Sequence, residues 1–220
     1  MQVQELKSGL WHWALPHPDW TPEEAENGGW GEIVASYSLE SQGGLVLVDP
    51  LAPEPGSPEH EGFWGALDRD VERTGPPAVL LTVFWHARSA GSMLERYRDA
   101  SVWVHEPAAA AVRERVAFTN TFRIGDPLPG GLEALDARRS GEVLLWSPEH
   151  RALVAGDVLL GAPDGGVRLC PPSWLPEDVD PEEFRSSLQA LLELPIELVL
   201  LTHGEPVLAG GREAVARALA

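Results

Sequence analysis

The feature that most constrains the fold is a change of period along the chain. From Leu45 to Val116, short apolar runs alternate with helix-patterned segments. Gly44 to Asp49 (GLVLVD) and Ala78 to Phe84 (AVLLTVF) are apolar almost throughout, the pattern of strands buried on both faces. Between them, His60 to Arg73 sets Phe63, Leu67 and Val71 on one helical stripe with Trp64 beside it, and Gly75-Pro76-Pro77 ends the helix. Ser89 to Asp99 reads as helix, Val102 to Val104 as strand and Glu106 to Val116 as helix. Such alternation implies parallel strands joined by right-handed crossovers.

Strands precede this block and start over after it. Gly9 to Leu15 and Glu32 to Leu39 read as strands around a polar loop, Pro16 to Gly29, and Gln42-Gly43-Gly44 supplies a hairpin turn. Further on, Arg123 to Ile124, Leu132 to Asp136, Glu142 to Trp146 and Ala152 to Ala155 are short strands, the last two joined through Pro148 to Arg151. Leu159 to Leu175 reads as a Gly- and Pro-rich loop. Pro181 to Leu194 reads as a helix capped by Asp180, Glu197 to Leu201 as a buried strand, and Arg212 to Leu219 as a closing helix. No low-complexity segment or linker divides the chain, so residues 1–220 are expected to form one domain of two sheets with helices outside.

Composition narrows the function. Sixteen basic residues against 34 acidic give a net charge of −18. That argues against nucleic acid, whose affinity comes largely from counterions displaced by Lys and Arg, and against anionic membrane surfaces. Nine tryptophans without interleaved basic residues fit core and seam filling better than base stacking. The single cysteine, Cys170, excludes internal disulfides and thiolate clusters and reads as an incidental thiol. No leader pattern or membrane-length apolar run is present, and a reducing cytoplasmic setting is expected. No phosphate-cradling glycine loop with a following Lys occurs, and Ser140-Gly141 lacks the context of a nucleophile elbow.

Three stretches carry a family resemblance. GLVLVDP, Gly44 to Pro50, delivers Asp49 at the end of a strand; GEVLLWSPEHRALVAGDVLLG, Gly141 to Gly161, is a hairpin ending in Gly-Asp; LVLLTHGEPV, Leu198 to Val207, is a strand followed by a histidine turn. Together they resemble the metallo-β-lactamase superfamily, which includes glyoxalase-II-like hydrolases. The resemblance implies a four-layer αββα sandwich of mixed α/β class, with Asp157 as the metal-bridging aspartate and His203 as the last ligand. It also implies that Asp49 supports the site from behind.

The family's histidine-rich run is altered here. Thr82-Val83-Phe84-Trp85-His86-Ala87-Arg88 matches the Thr-His-x-His-x-Asp-His pattern, so Val83, Trp85, Ala87 and Arg88 stand where that pattern has ligands. Ala137 to Gly141 matches a Gly-His-Thr-Pro-Gly turn and puts Arg138 at another ligand position. A binuclear centre is therefore not expected, because a catalytic zinc needs about three protein ligands. One or both of Arg88 and Arg138 are expected to pair with Asp157, which would otherwise be a buried lone anion.

Two function classes follow. In the first, no metal binds, and a cleft with Arg88, Arg138, Asp157 and Asp49 takes a small anionic ligand or a partner. In the second, a bulge after Trp85 swings His86 toward Asp157 and His203, completing a set for zinc or another single divalent metal that hydrolyses an ester, thioester or lactam. His12, His17, His60, His105 and His150 read as solvated or structural. Oligomeric state is not legible in the sequence.

Overall fold

The computed structural model describes residues 1–41, 43–139 and 141–220, so Gln42 of the expected turn and Ser140 lie outside the described residues. The first sheet runs in chain order: β1 (Gln2–Lys7), β2 (Leu10–Pro16), β3 (Ile33–Ser41), β4 (Gly44–Val48), β5 (Ala78–Leu81), β6 (Ser101–His105) and β7 (Asn120–Phe122). Pairing is antiparallel as far as β4 and parallel from β4 to β7. The parallel half is the alternating block read from the sequence: α1 (His60–Thr74) connects β4 to β5, and α2 (Ala90–Arg96) connects β5 to β6. α3 (Ala109–Arg113) lies before β7.

The second sheet has the order β13-β10-β9-β8, from β8 (Glu133–Asp136), β9 (Val143–Ser147), β10 (Ala152–Val154) and β13 (Leu198–Leu200). β10 and β13 are parallel, and α4 (Pro181–Ser187) lies between them in sequence. Asp180 accepts hydrogen bonds from the Glu182 and Glu183 amides, satisfying donors that a helix start leaves open. α5 (Gly211–Ala218) closes the chain.

Side-chain alternation builds the layers. In β4, Val46 and Val48 face the other sheet, while Leu45 and Leu47 pack under α1 and α2 with Phe63, Trp64, Leu67 and Met93. In β9 and β13, Val143, Leu145, Leu198 and Leu200 meet the first sheet, while Leu144, Trp146 and Val199 meet Phe184 and Val215 of α4 and α5. Each fully buried Leu or Val stabilises by roughly 1.5–3 kcal/mol. The result is four layers, helix–sheet–sheet–helix. The sheets are also stitched at one end: Ala35 N donates to Thr202 O (2.8 Å) and Tyr37 Oη to Leu201 O (2.7 Å).

Some expectations are corrected. The strand expected at Arg123–Ile124 is instead β7, because the Thr119 hydroxyl bridges to Val102 and starts pairing earlier. Arg123 then turns away, its amide bonded to Asp126. The loop expected at Leu159–Leu175 contains a hairpin, β11 (Leu159–Gly161) and β12 (Val167–Leu169), closed by Ala162 N to Gly166 O at 2.8 Å. The helix expected over Pro181–Leu194 is α-helical only to Ser187, and residues Leu188–Glu193 tighten into a 3₁₀ turn. β1 carries no sequence signal because its side chains are largely exposed and its backbone ladder alone places it. Among the described residues no helix is long and apolar enough to cross a membrane.

Candidate metal centre

Four strand ends converge, as expected where ligands gather beyond the carboxyl ends of parallel strands. Asp49 follows β4, Thr82 to Arg88 follows β5, Asp157 follows β10 and His203 follows β13. The local backbone is specialised. Asp49 (φ 48°) and Arg88 (φ 33°) hold left-handed conformations that ordinary side chains rarely adopt. Gly156 (φ 53°) precedes Asp157, and a Cβ there would lie 2.8 Å from Glu142 Oε1. Gly204 (φ 111°) follows His203, and a Cβ would lie 2.7 Å from the Gly161 Cα. Both glycines are required by space as well as by conformation.

His86 enters from a 3₁₀ turn, Phe84–Ala87. Its Nδ1 lies 2.9 Å from Asp49 Oδ2, and Thr82 fixes Asp49 in turn through its amide (2.9 Å) and hydroxyl (2.5 Å). Its Nε2 points the other way, 3.3 Å from Asp157 Oδ1. His203 Nε2 lies 3.1 Å from the same oxygen. One ligand atom from each of His86, Asp157 and His203 thus falls within 4.8 Å of the others, all three residues being buried. Asp157 is further held by Trp85 Nε1 on Oδ2 (2.6 Å) and by Glu142 Oε1 on its amide (2.6 Å).

Charge explains the protonation pattern. Burial works against a charged His86, but Asp157 and Asp49 outweigh it and raise its pKa to about 9. Burial likewise opposes the Asp157 carboxylate, yet the two imidazoles hold it well below the usual range. His203 is pushed down by burial. Desolvation raises Glu142 to about 7 despite its 2.8 Å contact with Arg139.

The arginines are not where the sequence places them. Arg138 is exposed and pairs with Asp136 at 3.3 Å rather than with the expected partner. Arg88 is near, but its Nη1 donates to the Ala35 and Asp49 carbonyls (3.2 and 3.1 Å). Among the described residues neither forms an ion pair with Asp157. The positive φ at Arg88 goes with a guanidinium directed to backbone behind Asp49, where it joins the Ser36 hydroxyl on the Asp49 carbonyl and also reaches the Ala35 carbonyl. The arginine that does reach Asp157 is Arg139, which bonds its carbonyl (3.3 Å) and lies over the Trp85 ring (5.8 Å). Its signal was the Arg139/Glu142 pair three residues apart, hidden behind the more prominent Arg138.

Above the cluster opens a cavity of about 860 Å³, the size of small-molecule sites. Its walls include Trp30, Trp64, Trp85 and Trp174, with Trp30 tilted against His203 at 4.6 Å between ring centroids, so some of the rings expected to fill core and seams also line the cavity. His17 and His60, read as structural, also line it. The charge is mixed: Arg88, Arg115 and Arg139 face Asp19, Glu24 and Glu54. Cys170 lies outside this lining, buried, with its thiol pushed up to about 11 by desolvation.

The donor set fits one ion. Among the described residues, Asp157 Oδ1 is buried and accepts no hydrogen bond, although two ring nitrogens sit beside it. Spacings of 3.1 and 3.3 Å resemble the roughly 3.3 Å edge of a tetrahedron with zinc-to-ligand bonds of about 2.0–2.1 Å. The Asp49–His86 contact is the carboxylate support that metal-bound histidines commonly have.

No family model and no curated protein matches the chain. Solved structures do match. A metallo-β-lactamase from Pontibacter korlensis superposes with a TM-score of 0.69 at 16% identity, over 99% of this chain and 96% of that one. A metallo-β-lactamase family protein from Thermus thermophilus gives 0.64 at 21% identity, over 97% and 79%. A metal-soaked flavodiiron core from a Synechocystis species gives 0.68 at 19% identity, over 99% and 59%. With its helix–sheet–sheet–helix layers and strand-end cluster, the chain has the metallo-β-lactamase fold.

Proposed function

We propose that this protein is a hydrolase with a mononuclear metal centre held by His86, Asp157 and His203. The observation that carries the reading is the convergence of these three buried donors at the floor of the cavity. Val83, Ala87 and Arg88 offer nothing to a second ion, and Arg138 lies away from the cluster. Two histidines and one carboxylate leave coordination positions open for water and substrate. A divalent ion held there would polarise a substrate carbonyl and acidify its water.

The chain's own groups set the rest. Asp49 fixes the His86 ring so that Nε2 faces Asp157. The indole walls exclude water from around a bound ester, thioester or lactam, strengthening every polar contact within. Chelated protein, reconstituted with zinc, manganese or iron and assayed on panels of those substrates, tests the proposal. Activity restored by one metal and lost in His203→Ala is expected. Inertness with every metal would overturn it.

A second reading keeps the cavity without metal, for a small anionic ligand. It is supported by internal charge balance: Arg88, Arg139 and a protonated His86 offset Asp49, Asp157 and Glu142. Metal-independent binding of a small carboxylate or phosphate by an inert protein would favour it.

A further inference from the structure

We propose that Trp85 is the positioning residue of this centre: its indole N–H holds Asp157 Oδ2, leaving only Oδ1 to face His86 and His203. The consequence for metal rests on the mononuclear reading above; the contact itself does not.

A carboxylate on a single bond can turn, and its rotation decides whether it offers one oxygen or two. Here the peptide of Asp157 is fixed from both sides, its amide by Glu142 (2.6 Å) and its carbonyl by Arg139 (3.3 Å). What remains free is the carboxyl rotation, and the 2.6 Å bond from Trp85 Nε1 to Oδ2 removes it. A donor that short to a charged acceptor is among the stronger hydrogen bonds a protein makes. The ring is itself clamped, with the Arg139 guanidinium over it at 5.8 Å and the edge of Phe84 at 4.5 Å.

Trp85 is also 37% exposed, an unusual place for a large apolar ring beside so buried a cluster. The exposed part of the ring lines the cavity, while its N–H end is turned to Asp157. Its ring fills the space next to Oδ2, so that side of Asp157 meets indole and is closed to a second cation.

The test uses the full chain with nitrogen-15-labelled indoles. Trp85→Phe identifies the Trp85 N–H signal among the nine tryptophans. In metal-free wild type that signal is expected apart from the others and slow to exchange with water, and it should persist after zinc is added. Zinc should bind Trp85→Phe about 10–100-fold more weakly than wild type, the usual effect of removing a ligand's supporting partner. Trp103→Phe, which removes an indole whose N–H bonds Ser101 Oγ, should leave zinc affinity unchanged. A Trp85 N–H that exchanges like an exposed indole, or zinc affinity in Trp85→Phe within about twofold of wild type, overturns the proposal. Wild type that binds no zinc refutes the mononuclear reading instead, and the indole signal still decides the contact.

Discussion

Raising the pH of metal-free protein should destabilise it in a window that belongs to His86. Its pKa is about 9 in the folded chain against 6.5 when unfolded, so the folded state holds the proton more tightly. The stabilisation is fully present below pH 6.5 and is lost as pH rises through about 9. Integrating the linkage between pH 7 and pH 9 gives a loss on the order of 2 kcal/mol. Neighbouring groups act elsewhere. Glu142, raised to about 7, loses its contribution between its ordinary value and pH 7, and the buried Cys170 thiol, at about 11, acts only above pH 9. His203, pushed down by burial, acts at and below the ordinary histidine range and with the opposite sign. Urea unfolding in chelating buffer from pH 6 to 9.5 measures the slope, with His86→Gln as the control that should flatten it. Stability that is level or rising from pH 7 to 9, or a slope unchanged in His86→Gln, would refute the electrostatic account of the cluster.

Other outcomes follow from single contacts. Asp49→Asn, by weakening the hold on His86 Nδ1, should reduce zinc affinity about 10–100-fold while the circular dichroism spectrum stays native. Arg88→Ala removes the guanidinium from the buried Ala35 carbonyl, while Ser36 Oγ still serves the Asp49 carbonyl, and should cost roughly 1–3 kcal/mol in urea unfolding. Arg138→Ala removes only an exposed pair with Asp136, so stability should change by less than about 1 kcal/mol and zinc affinity not at all.

The sequence carried the architecture well because buried strands advertise themselves. The apolar runs at Gly44–Asp49 and Ala78–Phe84, split by the Phe63/Leu67 stripe, could only be parallel strands joined by a helix. It carried less where side chains gave no pattern: exposed β1 is held by its ladder, and β11–β12 by a Gly165-Gly166 turn inside a stretch that reads as loop. At the site, Asp157, His203 and Asp49 were legible through the family resemblance of the stretches that carry them. His86 was legible only as a ring that a one-residue bulge after Trp85 would swing inward, since its position depends on a 3₁₀ turn that periodicity does not mark. The roles assigned to Arg88 and Arg138 assumed that a cation near an anion in sequence register must meet it. Backbone φ values near 33° and 57° send those chains elsewhere, while Arg139 and the Trp85 N–H take the places beside Asp157.

The central claim, one ion on His86, Asp157 and His203, is tested most directly by equilibrium zinc titration of chelated protein with metal content read after dialysis. One ion per chain is expected in wild type, falling to none in both His86→Ala and His203→Ala. Zero or two ions per wild-type chain, or one ion retained without either histidine, would contradict it.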